Sequence, residues 1–151
     1  MLFRSTGKGI GPAYTDKIAR NGLRVGDIFY NFEEKYRQAT DRHKKILSQY
    51  SLSYDLDAIE KEWFEGIEKI KTFNIIDSEH FINNRLAEGD NVLGEGAQGT
   101  MLDIDFGTYP FVTSSNTICA GACTGLGIAP HKIDEVYGVF KAYCTRVGSG
   151  P

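Results

Sequence analysis

The 151-residue chain has few of the residues that mark extracellular, membrane or metal-bound proteins: three cysteines, four prolines, three histidines and one tryptophan. The odd, late cysteines (Cys119, Cys123 and Cys144) exclude a secreted disulfide framework and lead us to expect a reducing, cytoplasmic setting. Cys119 and Cys123 have no histidine or second cysteine pair nearby, so small buried thiols are expected rather than a metal site. No apolar run approaches the length of a membrane span, and Met1-Leu2-Phe3-Arg4 is too short for a signal peptide. A net charge of -3 removes the electrostatic reason to expect nucleic acid as a partner. His43, His80 and His131 lie in unrelated segments, so spacing supports no Ser-His-Asp or Cys-His arrangement.

The chain that remains has three textures and no internal repeat. Residues 1–27 open on a glycine-rich stretch, STGKGIGPAY, followed by a short helix and a turn. The Walker nucleotide loop requires Gly-x4-Gly-Lys-Ser/Thr; here Gly9 follows Lys8 and no glycine stands at the required earlier position. Gly11-Pro12 suits a helix entrance, Ile10, Tyr14 and Ile18 recur on one helical face, and Asn21-Gly22 suits a stop. Arg20 is then expected in the last helical turn, where its charge favours the helix dipole.

Residues 28–89 read as a scaffold of three helices. The first begins around Phe29, Phe32 and Tyr36. The second carries a stripe of Ile59, Trp63, Ile67 and Ile70, with Asp57 as a candidate cap. In the third, Asp77 or Ser78 caps, Phe81, Ile82 and Leu86 face inward, and Gly89 terminates. Residues 90–151 change character again: a short apolar strand, 91–93, runs into GEGAQGT (94–100), and a second strand is expected over 135–148. TSSNT (113–117) offers caps for a helix ending near Gly125.

Three clusters could carry chemistry. Glu95, Asp103 and Asp105 could perform acid/base work or hold Mg²⁺, but turn-capping carboxylates paired with backbone N–H groups are the favoured reading. Thr6, Lys8 and the opening glycines, with Arg20 one helix away, suit either a phosphate or an ordinary glycine turn. Gln98 in its glycine loop, with Thr113, Ser114 and Ser115, could donate to a carbonyl or oxyanion, although polar loops are common.

Three longer stretches are specific. STGKGIGPAYTDKIARNGLRVGD (5–27), EGAQGTMLDIDFGTYPFVTSSNT (95–117) and CTGLGIAPHKIDEVYGVFKAYCTRVGSGP (123–151) resemble, in order and spacing, the adenylosuccinate synthetase family. The resemblance runs essentially from Ser5 to Pro151. It implies an α/β fold, a parallel sheet related to P-loop NTPases, of which this portion is mostly helical with a few strands. It also implies purine nucleotide synthesis: IMP and L-aspartate joined with GTP and Mg²⁺ to give adenylosuccinate, GDP and phosphate. In that reaction the GTP γ-phosphoryl group passes to the 6-oxygen of IMP, and the aspartate amine then displaces it.

Residue by residue, Thr6 and Thr113 match threonines at the IMP 5′-phosphate, and Gln98 matches the glutamine at the hypoxanthine 6-oxygen. Arg20 matches an arginine that reaches the IMP of the neighbouring subunit in a homodimer. The family's GTP loop, with its catalytic aspartate and lysine, and its guanine- and aspartate-binding segments have no match in these residues. The expectation is therefore a single internal segment of the synthetase, inactive alone, with no GTP or Mg²⁺ ligands of its own. The alternative is a stand-alone, non-catalytic phosphate-binding or assembly module.

Overall fold

The computed structural model describes residues 7–143. These form two compact units: one spans residues 13–76, and the other joins the residues up to Pro12 to those from Asp77 onward.

The first unit contains most of α1 (Ile10–Ile18), a short 3₁₀ turn (Val25–Phe29), α2 (Phe32–Leu47) and α3 (Leu56–Lys71). The first scaffold helix thus starts at Phe32 rather than Phe29, because Asn31 turns left-handed (φ 54°) between the 3₁₀ turn and α2. Asp27 closes that turn by accepting from the Arg24 amide at 2.7 Å, and it also pairs with Lys35 on α2. The Lys35 ammonium, aided by the Arg24 amide, holds the Asp27 carboxyl below the usual carboxylate range. Glu33 and Glu34 at the start of α2, and Lys44 and Lys45 at its end, complement the helix dipole.

The two long helices meet through aromatic rings. Tyr36 stacks near Trp63 (6.2 Å between centroids) and meets Phe64 edge-on at 5.1 Å, and Phe32 meets Phe64 at 6.2 Å. Such pairs add about 0.5–1.5 kcal/mol each beyond burial. The Tyr36 hydroxyl donates to Glu60 Oε1 at 3.1 Å, and desolvation pushes its pKa up. Ile67 is buried on the predicted stripe of α3, but Ile59 and Trp63 stay exposed. The cap of α3 is Asp55, whose side chain accepts from the Ala58 amide at 3.1 Å. Asp57 instead sits inside the first turn, so the expected cap moves back two residues.

The second unit contains α4 (Ser78–Ala87), a 3₁₀ turn at Thr100–Leu102, α5 (Ala120–Leu126) and a 3₁₀ turn at Pro130–Lys132. Gly89, at φ 90°, ends α4 as expected: the Asp90 amide donates to Arg85 O and the Gly89 amide to Leu86 O. Asp77 holds the cap position without a side-chain bond, and Phe81 is exposed where it was expected inside, while Ile82 and Leu86 are half-buried. Helices α4 and α5 meet at Gly127. Asn83 Nδ2 donates to Gly127 O at 2.9 Å, and a β-carbon added at Gly127 would lie 2.5 Å from Glu79 Cβ.

No strand forms among the described residues. Neither 91–93 nor the described part of 135–148 is paired, and residues 144–148 lie outside the described set. A strand exists only where a neighbour completes its ladder, and apolar content alone does not supply one. The helix expected from TSSNT begins later, at Ala120, and runs to Leu126 rather than Gly125. Of its expected caps, Thr113, Asn116 and Thr117 have their side chains engaged elsewhere. Cys119 is exposed and Cys123 half-buried, so the expectation of two buried thiols fails for Cys119; Cys144 lies outside the described residues.

Candidate functional site

Asp103 is the one buried charged residue among those described, with no exposed surface at all. Its carboxylate organises the loop that carries Gln98 and Thr113. Oδ1 accepts from the amides of Asp105 (2.9 Å) and Phe106 (3.0 Å) and, more weakly, from Asn116 Nδ2 (3.4 Å). Oδ2 accepts from the amides of Thr117 (2.6 Å) and Ile118 (3.3 Å). Five donors on one carboxylate satisfy a buried charge that would otherwise be prohibitive. The Phe106 amide, with those of Asp105, Thr117 and Ile118, outweighs desolvation and holds the Asp103 carboxyl far below the usual carboxylate range.

The same residues stitch the loop to itself. Thr117 Oγ1 donates to Gly99 O at 2.7 Å, the Ile104 amide to Ser115 O at 3.2 Å, and the Thr113 amide to Leu102 O at 2.8 Å. Thr117, whose hydroxyl is engaged with Gly99 O, therefore does not cap a helix. Gly107 is required by close approach: a β-carbon there would lie 2.5 Å from the carbonyl oxygens of both Asp103 and Met101. Asn116 Nδ2 also donates to Asp105 Oδ2 at 2.8 Å. The favoured reading of the acidic cluster as turn-capping carboxylates therefore describes Asp103. Glu95 is exposed, and no group of three or more His, Cys, Asp or Glu side chains able to hold a metal forms among the described residues.

On this frame the structure brings two predicted site residues together: Gln98 Nε2 donates to Thr113 Oγ1 at 3.3 Å. Gln98 is exposed and left-handed (φ 69°), whereas Thr113 is half-buried. Left-handed backbone at a residue with a β-carbon costs about 1–2 kcal/mol and persists only where its surroundings impose it. Among the described residues only Arg20, Asn31 and Gln98 adopt it without being glycine. Two of those three are site candidates.

Arg20 belongs to the unit spanning 13–76. It is not in the last turn of α1, as expected, because the helix ends at Ile18 and Arg20 takes the left-handed position just beyond (φ 62°). The Asn21 amide donates to Asp16 O at 2.8 Å and the Arg20 amide to Lys17 O at 3.1 Å, a Schellman closure with arginine where glycine is usual. Asn21-Gly22 therefore follows the stop instead of making it. The Arg20 side chain is exposed. In the opening stretch Gly7 (φ 65°) and Gly9 (φ 77°) are left-handed on either side of an exposed Lys8, and Thr6 lies outside the described residues.

Sequence reasoning missed Asn116, whose side-chain Nδ2 reaches Asp103, and Thr117, whose backbone amide does. The signal was present only as polar residues in TSSNT, which equally suit a helix cap.

The adenylosuccinate synthetase family profile matches residues 2–151. Adenylosuccinate synthetase from Bacteroides fragilis is 69% identical over 147 residues, covering 97% of this chain and 35% of that protein. The enzyme of the same name from Bacteroides thetaiotaomicron is 67% identical over the same span, with the same coverage. The structure of a fully ligated adenylosuccinate synthetase from Plasmodium falciparum superposes with a TM-score of 0.87 at 40% identity, covering 99% of this chain and 35% of that one. The chain thus spans about a third of the length of the relatives it matches. On the profile, the identities and the superposition together, the chain belongs to the adenylosuccinate synthetase family.

Proposed function

We propose that the chain supplies part of the IMP site of a GTP-dependent ligase that joins IMP to L-aspartate. The observation that carries this reading is the Gln98–Thr113 contact on the loop folded around Asp103. Gln98 donates its amide N–H to the 6-oxygen of the hypoxanthine, where negative charge accumulates before the γ-phosphoryl group of GTP arrives. A neutral amide suits that task, since it donates without a proton to lose. Thr113, hydrogen-bonded to Gln98 in the structure, turns its hydroxyl to the IMP 5′-phosphate when the nucleotide binds. Thr6 has the same role from the opening glycine stretch. Arg20, exposed beyond α1, reaches the phosphate of IMP held by the partner in a homodimer, a charge-assisted contact with a dianion.

Transfer of the γ-phosphoryl group to the 6-oxygen releases GDP and removes the N1 proton of the hypoxanthine. Attack of the aspartate amine on C6 then expels phosphate and releases an amine proton, and none of the residues assigned here accepts either proton. GTP and Mg²⁺, which the family reaction uses, take no assigned ligand among the described residues.

The test is turnover by the full-length protein that contains this chain. Supplied with IMP, aspartate, GTP and Mg²⁺, it is expected to produce adenylosuccinate with stoichiometric phosphate. Absence of product from a folded, nucleotide-competent sample would overturn the reading.

A further inference from the structure

The left-handed turn at Arg20 is held by a second helix. Arg42 Nη2, on α2, donates to Asn21 O at 2.8 Å, directly beyond Arg20. Its neighbour His43 meets Asp16 Oδ2 through Nε2 at 2.7 Å. Asp16 in turn accepts the amides of Asn21 (2.8 Å) and Gly22 (3.1 Å) on its backbone carbonyl. Two consecutive residues of α2 therefore grip the turn from both sides, one through its exit carbonyl and one through the residue that closes it. The grip is partly shielded, with the Asp16 side chain 22% and the His43 side chain 39% exposed. Arg42 keeps its Nε buried without a hydrogen-bond partner, a cost that the fold accepts to place the guanidinium there.

An arginine in left-handed backbone would relax to an ordinary conformation unless something fixed it. Glycine occupies the equivalent position after α4, at Gly89, where no such restraint is needed. We infer that Asp16, Arg42 and His43 are positioning residues for Arg20: they lock the turn after α1 so that the Arg20 guanidinium is presented in one direction to a phosphate. This inference rests on the reading of Arg20 as an IMP-phosphate ligand.

The experiment uses the full-length enzyme with Arg42→Met, Arg42→Lys, His43→Gln and Arg20→Leu, and each of the first three combined with Arg20→Leu. Arg42→Met and His43→Gln are expected to raise KM for IMP about 5- to 10-fold, with KM for GTP unchanged and the melting temperature within a few degrees. Arg42→Lys, which keeps a donor for Asn21 O, is expected to recover most of the loss. In the Arg20→Leu background none of the three should raise KM for IMP further, because a positioning residue has nothing left to position. If Arg42→Met fails to fold, His43→Gln carries the same comparison. Should Arg20→Leu itself leave KM for IMP unchanged, the phosphate-ligand reading fails. Should Arg20→Leu raise it while Arg42→Met and His43→Gln either leave it unchanged or add their full effect on top, the positioning inference alone fails.

Discussion

Arg20 and Gln98 both sit in backbone that only glycine adopts without penalty, and neither is glycine. A side chain retained where it costs about 1–2 kcal/mol points to a use for that side chain. Arg20→Gly separates the two effects. Relief of the left-handed strain offsets the added freedom of the unfolded chain, so unfolding free energy is expected to stay level or rise by about 1 kcal/mol. IMP affinity is expected to fall nonetheless. Denaturant melts and nucleotide titration of the full-length protein check both halves, and a drop in stability with unchanged affinity would reverse the assignment. Asp103 makes a second residue-scale case. Its folded carboxyl titrates far below an unfolded aspartate, whose pKa lies near 3.9, so its stabilisation is fully present above about pH 5. That stabilisation is lost progressively as pH falls below about 4. Asp103→Asn, which turns an acceptor into a donor facing backbone amides, is expected to lower the melting temperature at pH 7 and to flatten the acid limb of the melting-temperature profile. A wild-type-like acid limb in the variant would show that Asp103 does not carry it.

The helical elements were legible in the sequence, and the site loop was not. Phe32–Leu47, Leu56–Lys71 and Ser78–Ala87 declare themselves through helical periodicity and Gly89, although Ile59, Trp63 and Phe81 of the expected inward faces are exposed and there are errors at the boundaries. Those errors have local causes: Asp55 and Asp57 are equally good caps by type, and Arg20 took a position that Asn21 or Gly22 would suit better. The loop from Gly94 to Ile118 is built by side-chain-to-backbone bonds spanning up to 18 residues, from Thr117 to Gly99, and no period encodes those. Gln98 and Thr113 were grouped first as polar loop residues and then through the resemblance to the family, and the structure brings them to 3.3 Å of one another. Strands 91–93 and 135–148 were read from composition, but a strand needs a neighbour that the described residues do not provide. At this scale two substitutions discriminate. Asp55→Ala removes the only side-chain cap bond of α3 and is expected to cost about 1 kcal/mol, measured by chemical denaturation. Gly127→Ala drives a β-carbon into Glu79 and strains a left-handed residue, and is expected to cost about 2–3 kcal/mol. A loss below about 0.5 kcal/mol would mean that α4 and α5 can separate there freely.

Taken as a whole, the chain leaves large apolar side chains in water: Val139 is 97% exposed, Phe140 90% and Leu93 88%. Exposed apolar surface of this kind is what partners, or further chain, ordinarily cover. None of the helices described is long and apolar enough to cross a membrane. Produced alone, the 151-residue chain is expected to bind an apolar dye strongly and to show no synthetase turnover. Gln98 is proposed to stabilise the charge that develops on the IMP 6-oxygen, and one measurement meets that role directly. In the full-length enzyme, Gln98→Ala is expected to lower kcat for adenylosuccinate formation about 10²- to 10³-fold, with folding intact by circular dichroism and thermal melting. A folded Gln98→Ala enzyme that turns over within a few-fold of the unsubstituted protein would contradict the claim.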